Sequence, residues 1–173
     1  MLTESVCLAI IMALNIALFR IMTAIDTLLQ NVQTFYDGLK DGTYLSEIIK
    51  ENEAWICDMN TENQLFEQGI NRVGVDIMDY APYTPKTIEI KEIKGQPTNR
   101  VTLRDTGEFH ASFRVITSND SFTITADDWK TEFLMRQYGR QIIGLTDENA
   151  QELITEYIYP DLISKARETL LGA

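Results

Sequence analysis

His110 is the only histidine of the 173-residue chain, and Cys7 and Cys57 are its only thiols. Imidazole chemistry must therefore run through His110, and a nucleophilic pair of Cys57 with His110 is conceivable. No glycine-rich elbow surrounds Cys57 to present its sulfur beside an oxyanion site. Two thiols and one imidazole cannot build a four-ligand zinc site without carboxylates, and no CxxC occurs. Both cysteines read as reduced, buried thiols of a cytosolic protein. The HExxH, GxxxxGK[ST] and GxGxxG patterns are absent, so nothing points to a zinc protease, a phosphate-cradling loop or a dinucleotide fold.

The acidic residues offer one further pattern. Asp79 precedes Glu89-Ile-Lys91, and an acid followed by Glu-x-Lys on a strand resembles the core of metal-dependent nucleases. There, carboxylates hold Mg²⁺ and the lysine supports the attacking water. A strand would put Glu89 and Lys91 on one face, as that chemistry requires. The opposing reading is a solvated strand face, since Glu92-Ile-Lys94 repeats the pattern at once. Asp127-Asp128 reads as the cap of a helix near Trp129 or the end of a hairpin, ahead of a cation site.

The elements that must position these groups follow from periodicity and punctuation. Ile21, Ile25, Leu28, Leu29, Val32, Phe35, Tyr36 and Leu39 form one helical stripe, and no Gly or Pro interrupts the chain before Gly38, so the helix could begin at Ser5. Asp41-Gly42 breaks it. A second helix is expected over 44–56. A third is expected from Thr61, with Thr61 and Gln64 as a capping box, a stripe of Phe66, Ile70, Val73 and Ile77, and a stop at Pro82 and Pro85. Thr87-Ile-Glu-Ile-Lys91 alternates and is β-branched, which predicts a strand. Arg114-Val-Ile-Thr117 and Phe122-Thr-Ile-Thr125 flank Ser118-Asn-Asp-Ser121 as a hairpin. A short helix is expected over 129–138. Thr146-Asp-Glu-Asn149 opens a last helix, which Pro160 kinks or restarts. The expected fold class is α+β: N-terminal helices, a small antiparallel sheet with a hairpin, and a kinked C-terminal helix. Residues 1–21 read as an apolar helical extension and 22–173 as a single α+β domain.

Hydrophobic residues make up 45% of the chain and charged residues 24%, which excludes disorder throughout. The formal charge is −11, concentrated in residues 22–80 at −8, while 81–126 carries +1. No basic surface for neutralising phosphates is implied, so specific nucleic-acid binding is not expected. The run Val6-Cys-Leu-Ala-Ile-Ile-Met-Ala-Leu-Asn-Ile-Ala-Leu-Phe19 falls short of the roughly 20 apolar residues of a membrane span and lacks the basic start of a signal peptide. Three readings of it stay open: a helix buried in an assembly, an extension upstream of a start at Met22, or a membrane or export segment. Of the expected partners a membrane ranks last.

The most informative stretch is Leu103-Arg-Asp-Thr-Gly-Glu-Phe-His-Ala-Ser-Phe113. It reads as a strand–turn–helix unit. Asp105 or Thr106 accepts amide hydrogen bonds at a helix start and Gly107 lets the turn close. Phe109 and Phe113, four apart, share a face, and Ser112 bonds back to the preceding turn. This unit resembles the Leu-x-x-Thr-Gly-x-Leu/Phe-x-x-Ser-Ile/Phe signature of tailed-phage neck and tail-completion proteins, the virion morphogenesis group. Tyr83-Thr-Pro-Lys-Thr87 lies upstream, as that pattern has a proline-rich approach. Tyr138-Gly139 falls where the family has an aromatic residue or His before Gly. Ile142-Ile-Gly144-Leu145-Thr-Asp-Glu-Asn149 is similar to the entrance of its last helix. The likeness covers about residues 80–173; Arg140 is displaced from the arginine that opens the last motif, and 1–21 lies outside the pattern.

The resemblance implies a structural component of a virion, assembled in the host cytoplasm, that forms a homo-oligomeric ring at the head–tail joint or the tail end. Its neighbours would be portal, adaptor or tail proteins. DNA would be cargo in the channel, repelled by the acidic helices. No enzyme activity, cofactor or metal is expected. Leu103, Asp105, Thr106, Gly107, Phe109, Ser112, Phe113, Tyr138, Gly139, Gly144 and Leu145 would serve packing and subunit contacts. A non-virion interaction module and the small nuclease remain the competing readings.

Overall fold

The computed structural model describes residues 4–172. A chain without Gly or Pro up to Gly38 has nothing to stop a helix, and α1 runs unbroken through Glu4–Lys40. At 1.5 Å per residue it is about 55 Å long. The expected division between 21 and 22 therefore falls inside one continuous helix. Gly42, at φ 76°, makes the turn into α2 (Thr43–Glu51), and a Cβ there would collide with the backbone of Asn119 in the hairpin turn.

α1 packs on α2 and on the last helix, α9 (Tyr159–Leu171), and among its residues of described burial only Asn31, Phe35 and Gly38, near its C-terminal end, are half-buried. The Phe35 ring lies 5.6 Å from that of Tyr44. Of the stripe predicted to face inward, only Phe35 is half-buried; Ile21, Ile25, Leu28, Leu29, Val32, Tyr36 and Leu39 are exposed. Within this chain α1 has an amphipathic pattern and no core to apply it to.

The second and third predicted helices are one winding stretch. α2 bends at Asn52 into α3 (Glu53–Asp58), which continues as a π-helical segment, Met59–Gln68, closed by Gly69. Thr61 caps nothing: it lies inside the winding and its hydroxyl donates to the Cys57 carbonyl. The stripe through Val73 does not form. Gly69 ends the winding, the Asn71 side chain accepts from the Val73 and Val75 amides to hold a turn, and Asp76 caps the short α4 (Ile77–Tyr80) by accepting from Met78 N.

The expected strand at 87–91 is a helix, α5 (Pro85–Ile93). Thr84 accepts from the Thr87 amide and Pro85 occupies the first turn, where its missing N–H costs nothing. These local signals outweigh the β-branched alternation. After α6 (Glu108–Ala111) come β1 (Phe113–Thr117) and β2 (Phe122–Ala126), a two-stranded antiparallel sheet in the expected place, with Val115 opposite Ile124. The sheet lies on α2 and α3. Glu53 Oε1 accepts from the outward Val115 amide, and Ser46 donates to Thr117. Among the described residues the far edge of β2 has no strand partner.

α7 (Thr131–Tyr138) follows, with Asp128 accepting from Lys130 N just ahead of it. Thr146 caps α8 (Asp147–Glu152) through the Asn149 amide, as expected. Pro160 cannot donate to the helix ladder, and the chain absorbs this by widening to π geometry over Leu153–Ile158. Tyr159 N–H reaches back five residues to Ile154 O before α9 resumes. Asp161 accepts from Asn52, and Lys165 pairs with Glu47 at 2.8 Å, tying α9 to α2. The core gathers Ile49, Ile56, Met59, Leu65, Ile77 and Val101 with Phe109, Phe113, Ile142 and Leu153. The α+β expectation holds, with helix predominating.

Candidate functional site

The loop between α5 and α6 holds the densest set of oriented side chains. Thr102 N–H donates to Tyr83 Oη at 2.9 Å, and Arg104 N–H donates to Thr102 Oγ1. Lys91 Nζ donates to the Arg104 carbonyl at 3.0 Å, and Gln96 Nε2 donates to the Asp105 carbonyl at 2.9 Å. Side chains of α5 and its neighbours thus hold the loop backbone in place of a sheet. Between the anchored residues Leu103 takes φ 51°, left-handed space that costs a leucine about 1–2 kcal/mol. Gly107, at φ 93°, closes the turn as expected, and Ser112 donates back to the Phe109 carbonyl at 2.7 Å. The Phe109 and Phe113 rings meet edge to face at 5.1 Å.

Below this loop is a pocket of about 260 Å³ lined by Leu103, Asp105, Thr106, Gly107, Phe109 and Tyr138 among others. Six of the residues singled out from the sequence therefore converge on one place. Phe113 is in the core, Ser112 braces the α6 turn, and Gly139 ends α7. Gly144 and Leu145 stand apart, in a separate groove with Arg72, Phe122 and Ile124.

The rim is charged. Arg104 Nη1 lies 2.9 Å from both Glu62 carboxylate oxygens, with its guanidinium over the Phe66 ring at 4.7 Å. Both partners are substantially exposed, so this pair contributes at most about 1 kcal/mol. Asp105 pairs with Lys94, and that hydrogen bond holds its carboxyl below the usual range. Lys130 reaches Glu108 at 3.5 Å.

The nuclease pattern does not assemble. On α5 Lys91 points inward while Glu89 is exposed, so the two do not share the face that a strand would have provided; Asp79 is exposed on α4. Among the described residues no group of three His, Cys, Asp or Glu side chains could hold a metal ion.

Cys57 and His110 do line one cleft, between α3 and the α6–β1 corner. Their charge states oppose nucleophilic chemistry. Burial, helped by the Glu53 charge, pushes the thiol up to about 11. Burial pushes His110 down to about 4 against the Thr102 hydrogen bond, with Arg104 and Lys91 adding to the depression. Nε2 lies 2.9 Å from the Thr102 carbonyl, which only accepts, so Nε2 carries the proton, while buried Nδ1 meets no partner. Cys7 lies outside the residues whose side chains are described.

This histidine gives the fold an acid sensitivity of definite sign. The unfolded chain takes up a proton near pH 6.5, the folded one only near 4, so stability is full above about 6.5 and falls as the pH drops between them. The difference is at most about 3 kcal/mol. Urea midpoints at pH 7 and 4.5 check it: the wild type should lose stability on acidification. His110→Phe, weaker at neutral pH because the Thr102 carbonyl loses its donor, should lose much less over that interval.

A buried amide network escaped the sequence reading. Asn60 and Gln64, both 0% exposed, face the 142–146 segment from the π-helical winding. Asn60 donates to Ile142 O at 3.2 Å and accepts from Gly144 N at 2.7 Å. Gln64 donates to Gly144 O at 2.9 Å and accepts from Thr146 N at 2.9 Å and Asn149 Nδ2 at 2.8 Å. Two amide side chains thus supply 142–146 with the hydrogen bonds that a neighbouring strand would give. The available signal was two amides four residues apart on a stretch that also carries Met59 and Leu65.

The architecture is an α+β domain with a long helix standing off it and a loop-roofed pocket at the resemblance motif. No protein family, curated protein or solved structure matches the chain.

Proposed function

We propose that the chain is a structural subunit of a tailed-phage virion, a neck or tail-completion component that joins copies of itself and neighbouring virion proteins around the DNA channel. The observation that carries this reading is the exposed α1. Leu8, Ile11, Leu14, Leu18, Phe19, Met22, Ile25 and Leu29 are all roughly half or more exposed, a contiguous apolar surface far beyond what soluble monomers leave in water. Such a helix suits a subunit that is completed by its neighbours. Two further features support the reading. The free edge of β2 can accept a strand from an adjoining copy. The exposed acids Asp37, Asp41, Glu47, Glu51, Asp58 and Glu67 give the α1 end and the α2–α3 winding a negative surface that DNA would pass without sticking.

Mass photometry and negative-stain imaging of the full chain test the proposal. The expected result is a closed oligomer, a single multiple of 19.8 kDa that stays constant as concentration rises. A monomer up to the solubility limit, with no ring in the images, would overturn it.

One observation favours a second reading. Ile10–Lys40 is long and apolar enough to cross a membrane, which the apolar run judged by itself was not. On this reading α1 anchors the domain to a bilayer. Co-flotation of the chain with lipid vesicles, with no closed oligomer in their absence, would select it.

A further inference from the structure

Lys91 is 6% exposed, and its ammonium reaches three oxygens, all neutral: Arg104 O at 3.0 Å, Gln96 Oε1 at 3.2 Å and Thr102 Oγ1 at 3.4 Å. A buried ammonium is ordinarily held against a carboxylate, because neutral acceptors restore only part of its lost hydration. The carboxylates around this pocket are engaged elsewhere: Asp105 with Lys94, Glu62 with Arg104, Glu108 with Lys130. Asp105 feels the Lys91 charge without bonding to it. Lys91, Lys94, Arg104 and Lys130 therefore outnumber the three carboxylates by one, in a chain of net charge −11, and the surplus cation is the buried one.

The pocket that Lys91 lines has apolar walls from Tyr83, Leu103, Phe109, Leu134 and Tyr138, with the ion-paired Arg104, Asp105 and Lys130 also lining it. Its volume of about 260 Å³ lies below the range that takes drug-sized ligands, and leaves room for one group the size of an amino-acid side chain. A single surplus cation answers a monoanion; a phosphate dianion would call for a second free cation and more polar walls. The wall residue Leu103 is held in left-handed space, a strain of the kind found at ligand clamps.

We propose that this pocket binds a monocarboxylate on a short apolar body. The carboxylate competes with the neutral acceptors for Lys91 Nζ from the pocket side, and the body lies against Leu103, Phe109 and Leu134. The same chemistry comes from a free organic acid or from the C-terminal carboxylate of a neighbouring chain. The site stands whether or not the chain builds rings.

Calorimetric titration of the full chain with hexanoate and with hexanol tests it. Hexanoate should bind saturably at one site per chain, about tenfold tighter than hexanol, as a charge-assisted hydrogen bond adds to the shared apolar contact. Lys91→Met should erase that preference and leave hexanol binding in place. Should Lys91→Met fail to fold, Leu134→Trp fills the pocket without touching the ammonium and should abolish both titrations. N-acetyl-leucine against N-acetyl-leucinamide repeats the comparison for a chain terminus, and whichever acid binds more tightly identifies the source. Equal affinity for hexanoate and hexanol, no saturable binding of either acid, or unchanged hexanoate binding in Leu134→Trp would overturn the proposal.

Discussion

Replacing Gln64 by leucine is expected to destabilise the fold by about 4 kcal/mol, the sum over buried polar groups left without partners at about 1–3 kcal/mol each. Leucine fits the site in size, so the loss is not one of packing. The Gly144 carbonyl, the Thr146 amide and the Asn149 amide group are each buried or half-buried and would each lose a bond to Gln64. Asn149 keeps a second acceptor in the Met59 carbonyl, which places the estimate toward the lower end. A loss of this size is a large fraction of an ordinary domain's stability of about 5–15 kcal/mol. Urea unfolding followed by far-ultraviolet dichroism should show a much lower midpoint at an unchanged slope. Gln68→Leu, at an exposed position on the same winding, is the control and should move stability by no more than about 0.5 kcal/mol. Equal effects of the two substitutions would show that the amide network contributes little. Asn60 makes the same kind of double bond to the 142–146 backbone, so Asn60→Leu should resemble Gln64→Leu. The two should not add fully, because both hold Gly144.

What the sequence revealed and what it hid follow from the range of the forces involved. The hairpin, the Thr146 cap and the disturbance at Pro160 were legible because turn residues, capping hydroxyls and a missing amide act over a few positions. Phe109 and Phe113 meet across the α6–β1 corner and not on the one helical face that their spacing suggested. The segment at 85–93 carried two conflicting local signals. The alternation of Thr87, Ile88, Glu89 and Ile90 suggested a strand, while Thr84-Pro85 is a helix start; the structure follows the latter, and Ile90 and Ile93 stay exposed because they were never a strand's inner face. Gln64 was misread for the opposite reason. Its spacing from Thr61 fits a capping box, but its partners lie some 80 positions away in sequence, where no local pattern could point to them. The pocket at the resemblance motif was half-visible. The loop residues stood out, whereas Tyr83 and Lys91, which lock the loop from α5 and its approach, read as part of a turn and of a nuclease pattern.

Substituting Leu18, Ile25 and Leu29 together by glutamate should separate folding from assembly. These side chains lie seven and four residues apart on one face of α1 and are 57%, 52% and 62% exposed. Because all three are exposed on the subunit, each change should move the stability of the isolated subunit by no more than about 0.5 kcal/mol. Their worth would appear only against a partner, where burying each such side chain gains about 1.5–3 kcal/mol. Three of them, replaced by charges that would have to be desolvated, amount to a loss of at least about 4 kcal/mol per contact, about a thousandfold in the association constant. Mass photometry should therefore find the closed oligomer of the wild type replaced by monomers that keep the wild-type far-ultraviolet dichroism, while the urea midpoint falls by the stability that the wild type gains from association. The acidic balance of the domain sharpens the effect, since three more carboxylates on each copy add repulsion between surfaces already negative. An oligomer that survived the triple substitution unchanged would show that α1 is not what joins the copies, leaving the free edge of β2 as the contact to test. Vesicle flotation of the same pair of proteins decides the membrane reading. Loss of flotation in a variant whose wild type was monomeric throughout would assign the apolar face of α1 to lipid.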